Sequence, residues 1–391
     1  MIKVAFFAEI LIEDFDGASR TMFQIINRIN PAHFSYLFIH GKGPTRLNEH
    51  KAVCIPTLNS VLSKEYSISV PAFGKEQLNK TLNNFQPDVI HISTPSLLGF
   101  FALRYAQKHN IPVISIYHTN FISYVPYYFR KFSALINPIQ RWMRGTLTKF
   151  YNACDQVYVP SQSMILQLKS FGVEDTKINL WQRGIDLNVF NPKKRDKSRI
   201  QQRTGNNKPN VLFTSRLVWE KNLETLIAIY TRLQKQDIDH NFIIAGDGPA
   251  RIEMERLMPD AIFLGRLDHQ ELATVYASSD VFVFTSTSET YGNVVVEAMA
   301  SGLPCVIADA GGSADLINHR HTGYKCSANN AEDYAIHIKL LLADPELHHV
   351  IRSASLQQAQ SLDWQKLTEK YFQDIQRLAQ QTSRDLIWAA C

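Results

Sequence analysis

Val281-Phe-Val-Phe-Thr-Ser-Thr-Ser-Glu289-Thr-Tyr291-Gly-Asn293-Val-Val-Val-Glu297-Ala-Met-Ala-Ser-Gly-Leu-Pro304-Cys-Val-Ile-Ala308 reads as strand, loop, helix, turn and strand. Val281–Phe284 is short, continuous and apolar, the pattern of a parallel strand buried on both faces. Glu289 falls in the loop at its carboxyl end, and Glu297 about one turn into the helix that follows. The same alternation runs outward in both directions. Upstream, Asn241–Ala245 is strand-like, and Leu223, Leu226, Ile227, Tyr230 and Leu233 make one apolar stripe at helical spacing. In the first half, Ile2–Ala8, Phe34–His40, Asp88–Ser93 and Pro112–His118 repeat it, with helical segments between most of them. Strands that alternate with helices predict an α/β fold built on parallel sheets.

Asn191 to Asn210 breaks the pattern, with Pro192, Pro209, seven Lys or Arg against one Asp, and Ile200 as its single apolar residue. The expected organisation is two doubly wound, Rossmann-like domains facing each other across a cleft: a first domain over 1–190, a linker region over 191–209, and a second domain over 210–362. A helical tail over 363–391 is expected to pack back on the first domain. Ligands of such sheets sit beyond the carboxyl ends of the strands.

The 391 residues are 45% hydrophobic and 20% charged, ordinary globular composition that excludes a disordered, collagen-like or coiled-coil chain. No apolar run approaches the ~18 residues of a membrane span. Met1 to Ala8 carries only Lys3 and runs into Glu9, Glu13, Asp14 and Asp16, so it reads as a buried strand and not a signal peptide. Five scattered cysteines without a Cys-x-x-Cys pair indicate neither a disulfide framework nor a zinc site, and a cytoplasmic location is expected. A net charge of +5 is too small to imply nucleic acid as a partner.

A sugar nucleotide needs acceptors for its hydroxyls and donors for its phosphates. Glu289 and Glu297 can take sugar and ribose hydroxyls respectively, and the backbone amides of Tyr291, Gly292, Asn293 and Val294, at a helix amino end, can donate to a phosphate. A bare pair of glutamates eight apart would read first as a solvated loop residue and an exposed helix residue; the surrounding sequence changes that weighting.

The stretch resembles the E-x7-E signature of retaining GT-B glycosyltransferases of the large fourth family, and the resemblance covers nearly the whole chain. Arg216-Leu-Val-Trp-Glu-Lys221-Asn-Leu is similar to the family's donor-diphosphate motif; the resemblance implies that Arg216 and Lys221 neutralise the leaving diphosphate. Gly246-Asp-Gly248-Pro249 also matches, whereas Arg251 stands where the third glycine of a dinucleotide-binding turn would fall. Gly265 to Asp268, including Arg266, lies where relatives hold the nucleobase. His118 falls at the active-site histidine beside the donor sugar, and Gly17, opening the first long helix, at a small-residue loop that admits donor phosphates or acceptor. Arg183-Gly184-Ile185-Asp186 with Phe190 resembles a segment at the domain junction, with a role in hinge geometry as much as ligand contact. Gly311-Gly312 fits the family's paired glycines; Asp315 replaces the usual glutamate and is left out of the site.

The implied reaction is front-face hexosyl transfer with retention, in which the departing phosphate takes the acceptor's proton and Glu289 and His118 flank the reacting sugar. Asp14-Phe-Asp16 and Asp237-Ile-Asp239 spell the metal-binding D-x-D of another glycosyltransferase fold, but triplets this short arise by chance; no metal and no cofactor beyond the GDP- or UDP-linked co-substrate is expected. The run from Gly265 to Val294 looks closest to GDP-mannose-dependent α-mannosyltransferases and sulfoquinovosyl-diacylglycerol synthases, which implies a lipid or oligosaccharide acceptor. A UDP-sugar-dependent α-glycosyltransferase and, behind it, a sugar-nucleotide epimerase are the alternatives. Finally, Tyr117 to Cys154 carries Arg130, Lys131, Arg141, Arg144 and Lys149, ten aromatics and no acid. Asn137-Pro138 predicts a helix start there, with Ile139, Trp142, Met143, Leu147 and Phe150 as its apolar stripe. The segment is either a core helix or a contact to an anionic membrane surface, peripheral on the inner face of the cytoplasmic membrane.

Overall fold

The computed structural model describes the whole chain except residues 14, 60–66, 130, 131, 237, 390 and 391, and the side chains of 127, 128 and 382–389. It divides into two units, Met1–Trp181 with Gln365–Cys391, and Gln182–Trp364.

The first unit is built on β1 (Ile2–Ile10), β2 (Phe34–Lys42), β3 (Arg46–Leu47), β4 (His50–Cys54), β5 (Thr57–Asn59), β6 (Ser67–Ser69), β7 (Val89–Ile92), β8 (Val113–Ile116), β9 (Gln156–Val159) and β10 (Ile178–Leu180). Its main sheet has the order β10-β9-β8-β7-β1-β2-β4-β3, with β5 and β6 as a separate antiparallel pair. All ladders of the main sheet are parallel except β3 with β4. Val4 to Ala8 are all buried because helices cover both faces, which is why β1 is a continuous apolar run and does not alternate. Strand order reverses at β1, so the loops after β1, β7 and β8 gather at the sheet's carboxyl edge, where ligands of open sheets bind.

The helix Trp364–Ala389 returns to this unit from Gln365 onward. Tyr371 Oη lies 2.8 Å from His91 Nδ1, and Tyr158 Oη and Gln156 Nε2 donate to Asp374 at 2.6 and 2.8 Å. His91 stacks on Phe6, and burial pushes its imidazole down to about 3, so it is a neutral core residue.

In the second unit β11 (Asn210–Thr214), β12 (Asn241–Ala245), β13 (Ile262–Gly265), β14 (Val281–Phe284), β15 (Cys305–Ala308) and β16 (Gly323–Cys326) run parallel in the order β13-β12-β11-β14-β15-β16. This is the doubly wound 3-2-1-4-5-6 arrangement, and its switch point falls between β11 and β14.

Two expectations about the domain boundaries need correction. Residues 182–190 belong to the second unit, not the first, because Ile185 bridges Asp363 and Phe190 is buried against Tyr276. The region 191–209 is not a free linker. Its charges hide a helix, Lys197–Thr204, whose Ile200 joins the core while Asp196 caps its first turn and Arg199 pairs with Glu271.

The helix expected to start at Asn137-Pro138 spans Ser133–Asn152 instead, with Pro138 inside it. At this early position the proline forfeits one backbone bond, to Ala134, which the longer helix tolerates. Leu147 and Phe150 are buried as a stripe requires, whereas Trp142 is 70% exposed. Arg130 and Lys131 lie outside the described residues.

Candidate active site

Glu289 is held where the loops after β11 and β14 meet at the switch point. Lys221 ends a short 3-10 turn (Trp219–Lys221) directly before the helix Leu223–Lys235, and its carbonyl accepts from Thr285 Oγ1 at 3.0 Å, which ties the two loops together. Lys221 Nζ lies 2.6 Å from Glu289 Oε1, and Ser286 Oγ donates to the same oxygen at 2.9 Å. Burial alone would raise the Glu289 carboxyl, but Lys221, Ser286 and the more distant Arg183 outweigh it and hold the group below its ordinary range. It is therefore a carboxylate at neutral pH, anchored by a buried ammonium.

Glycines make this loop geometry feasible. Gly292 caps the helix Asn293–Ala300 at φ 97, and a Cβ there would meet Ser313 Cβ at 2.7 Å. Gly312 donates its amide to Glu289 O at 2.7 Å, so the paired glycines back the Glu289 loop. On the other side, a Cβ on Gly248 would run into the Leu217 backbone, because Leu217 N–H donates to Asp247 O at 2.9 Å and its carbonyl accepts from Ala250. The loop after β12 thus seats the loop that carries Arg216.

Arg216 is exposed on that loop, with Glu220 Oε1 at 3.9 Å from its guanidinium. Arg266 is exposed after β13. Asn293 and Val294 supply the first helical amides, those an α-helix leaves without intrahelical acceptors. Tyr291 contributes only backbone, since its phenol is buried and donates to Arg183 O at 2.7 Å. Glu297 is buried and accepts from Tyr276 Oη at 3.2 Å.

The residue whose importance the sequence understated is Arg183. It is buried, lies over the Tyr291 ring at 5.9 Å, donates to Asn293 Oδ1 at 3.3 Å and adds positive potential at Glu289. The Arg-Gly-Ile-Asp segment was the only signal, and nothing local in it reveals partners 108 and 110 residues away.

In the first unit, His118 is buried just past β8, and Gly17 opens the helix Gly17–Ile26, whose cap is Asp16: Ser19 N–H donates to its Oδ1 at 2.8 Å. Asp16 is thereby accounted for as a cap, and Asp239 pairs with Lys208 at 2.7 Å; Asp14 and Asp237 lie outside the described residues.

Two parallel-sheet units, with an anchored carboxylate and two basic side chains on the switch-point loops of the second, define a glycosyltransferase of the GT-B class. Residues 15–189 match the model of Glycosyltransferase Family 4 and residues 194–358 that of Glycosyl transferases group 1, so the chain is built of these two glycosyltransferase domains. It is 29% identical over 380 residues to a GDP-mannose-dependent alpha-mannosyltransferase of Corynebacterium glutamicum, covering 95% of this chain and 88% of that one. It is 37% identical over 295 residues to a sulfoquinovosyl transferase of Arabidopsis thaliana, covering 73% of this chain and 56% of that one. The fold is also that of sucrose-phosphate synthase from Thermosynechococcus elongatus, with a TM-score of 0.76 at 19% identity over 97% of this chain and 99% of that one. Anabaena HepE in complex with UDP and glucose gives a TM-score of 0.73 at 19% identity, over 96% and 100%.

Proposed function

We propose that the protein transfers a hexose, with retention, from a nucleotide sugar to a lipid or glycan acceptor in glycolipid or cell-envelope glycan synthesis, and that the donor is GDP-mannose. The observation that carries this reading is the Lys221–Glu289 pair at the switch point, 2.6 Å apart, set on a chain that aligns over 95% of its length with a GDP-mannose-dependent alpha-mannosyltransferase. Arg216 and Lys221 stabilise the diphosphate as it leaves, the amides of Asn293 and Val294 bind a phosphate oxygen, Glu289 orients the sugar hydroxyls, and Glu297 takes the ribose. In the first unit, His118 and Gly17 are the residues proposed for sugar and phosphate contacts. Positioning and electrostatics then supply the rate, and the departing phosphate oxygen accepts the acceptor's proton.

Two cations for one diphosphate make a divalent metal unnecessary to the reading, so turnover is expected to persist in chelator. A UDP-linked donor is the second reading; Anabaena HepE, a solved structure of this fold, holds UDP. The epimerase alternative is not favoured by these relatives.

A lipid acceptor requires a bilayer surface, and no helix among the described residues is long and apolar enough to cross one. Phe132, Leu135 and Trp142 are exposed on or beside the helix Ser133–Asn152, which also presents Arg141, Arg144 and Lys149. These side chains suit reversible attachment to an anionic cytoplasmic leaflet, each cation contributing about 1 kcal/mol near the surface. Turnover of GDP- and UDP-sugars with diacylglycerol-containing anionic vesicles and with soluble oligosaccharides tests the proposal. Hexose transfer from GDP-mannose supports it; isomerisation of the donor without an acceptor overturns it.

A further inference from the structure

At the outer edge of the second unit's sheet, Cys326 ends β16 and faces the first turns of the helix Ala331–Ala343, which carries Asp333 and His337 one turn apart on one face. Cys326 Sγ lies 3.6 Å from His337 Nδ1, and Asp333 Oδ1 lies 3.4 Å from the same nitrogen. One ligand atom from each of the three side chains lies within 4.8 Å of the other two, the one such grouping among the described residues. Bond lengths of about 2.3 Å to sulfur and about 2.0–2.2 Å to nitrogen and oxygen place tetrahedral zinc ligands about 3.3–3.6 Å apart, close to the two separations recorded here.

We propose that Cys326, Asp333 and His337 bind a single divalent ion of the zinc type, separate from the sugar-transfer site. Thiolate with imidazole and one carboxylate is a donor set for zinc and not for magnesium or calcium. The supporting contacts are those that fix a ligand. Ser327 N–H donates to the other oxygen of Asp333 at 2.8 Å, and the Tyr324 ring stacks on the His337 ring at 4.2 Å. His319 is close, with its ring 5.9 Å from that of His337, but its Nδ1 accepts from Lys325 N–H at 3.0 Å. Its neutral ring therefore keeps the proton on Nε2, and water takes the fourth position.

His337 Nδ1 now donates to the Asp333 carbonyl at 2.8 Å. On binding, that proton moves to Nε2 by tautomerisation, the Cys326 thiol releases its proton to solvent, and the two anionic ligands neutralise the ion. Asp333 and His337 are partly exposed, which gives the ion its entry path. The ion would pin the end of β16 to the following helix.

The test is titration with cobalt(II) of the full chain carrying Cys54→Ser and Cys391→Ser, which leaves the buried Cys154, Cys305 and Cys326, and of these three Cys326 alone lies beside His337 and Asp333. The expected result is a thiolate-to-cobalt charge-transfer absorption that saturates at one ion per chain and is bleached by zinc. It is absent in Cys326→Ser and weakened in His337→Gln and Asp333→Asn. No absorption at saturating cobalt, or absorption that survives Cys326→Ser, overturns the site and leaves a hydrogen-bonded cluster. Should Cys326→Ser fail to fold by circular dichroism, cobalt binding unchanged in both His337→Gln and Asp333→Asn overturns it equally.

Discussion

Lys221→Met removes the ammonium 2.6 Å from Glu289 and leaves a carboxylate supported only by Ser286 and the more distant Arg183. Removing one member of a buried pair costs about 3–5 kcal/mol, and with a 21% exposed Glu289 side chain the lower end, about 3 kcal/mol, applies. Glu289→Gln keeps an acceptor for Lys221 and loses the charge, for about 1.5–3 kcal/mol. In the double variant neither charge is stranded, so its loss should fall short of the sum of the singles by about 2 kcal/mol. Thermal unfolding followed by circular dichroism reads this as a melting point lowered by about 6–12 °C in Lys221→Met at roughly 2–4 °C per kcal/mol.

Acid provides a second reading of the same pair. The Glu289 carboxyl is held below its ordinary range, so its stabilisation is present at neutral pH and is lost as pH falls through the folded value. In Lys221→Met burial dominates, the carboxyl takes up a proton at higher pH than in the wild type, and the gap between the two proteins narrows on acidification. Additive single and double variants, with a gap independent of pH, would refute the reasoning.

Arg183→Lys cannot lie flat over Tyr291 and reach Asn293 together, so kcat should fall about tenfold, near 1.4 kcal/mol, with the nucleotide still bound; steady-state kinetics with separate nucleotide titration checks it. Gly248→Ala forces the Leu217 backbone to shift, and should raise the donor KM through the displaced Arg216 loop while lowering the melting point. His91 stays neutral when folded but binds a proton when unfolded, so between about pH 6.5 and 3 its contribution to stability falls by about 1.4 kcal/mol per pH unit. Urea unfolding across that range should show a shallower slope in His91→Gln.

Strand positions were legible wherever burial on both faces produced a continuous apolar run, as at Val281–Phe284 and Asn241–Ala245. Thr57–Asn59 and Ser67–Ser69 were not, because a short, half-polar hairpin leaves no such run. The helix Lys197–Thr204 was masked by its charges, since one buried Ile200 is all that marks its inner face. Trp142 was misplaced on the buried stripe because the stripe was drawn too wide: Leu147, Phe150 and Tyr151 centre the inward face, and Trp142 lies roughly a third of a turn away from it. In the site, local motifs placed Lys221 and Glu289 on loops that the sheet order brings together. Spacing alone carries no sign that Tyr291 turns inward onto Arg183 or that Glu297 meets Tyr276, because those contacts depend on tertiary packing.

We propose that the switch-point loops of the second unit bind the nucleoside diphosphate of the donor through charge and without metal. Calorimetric titration of GDP and UDP, in chelator, into the wild type, Arg216→Ala and Glu297→Gln tests it most directly. The expected result is binding of one nucleotide per chain without metal, weakened about tenfold to a hundredfold by Arg216→Ala at about 1.5–3 kcal/mol for a charge-assisted contact, and weakened also by Glu297→Gln. Binding that needs added metal, or affinities equal to the wild type in both variants, would contradict it.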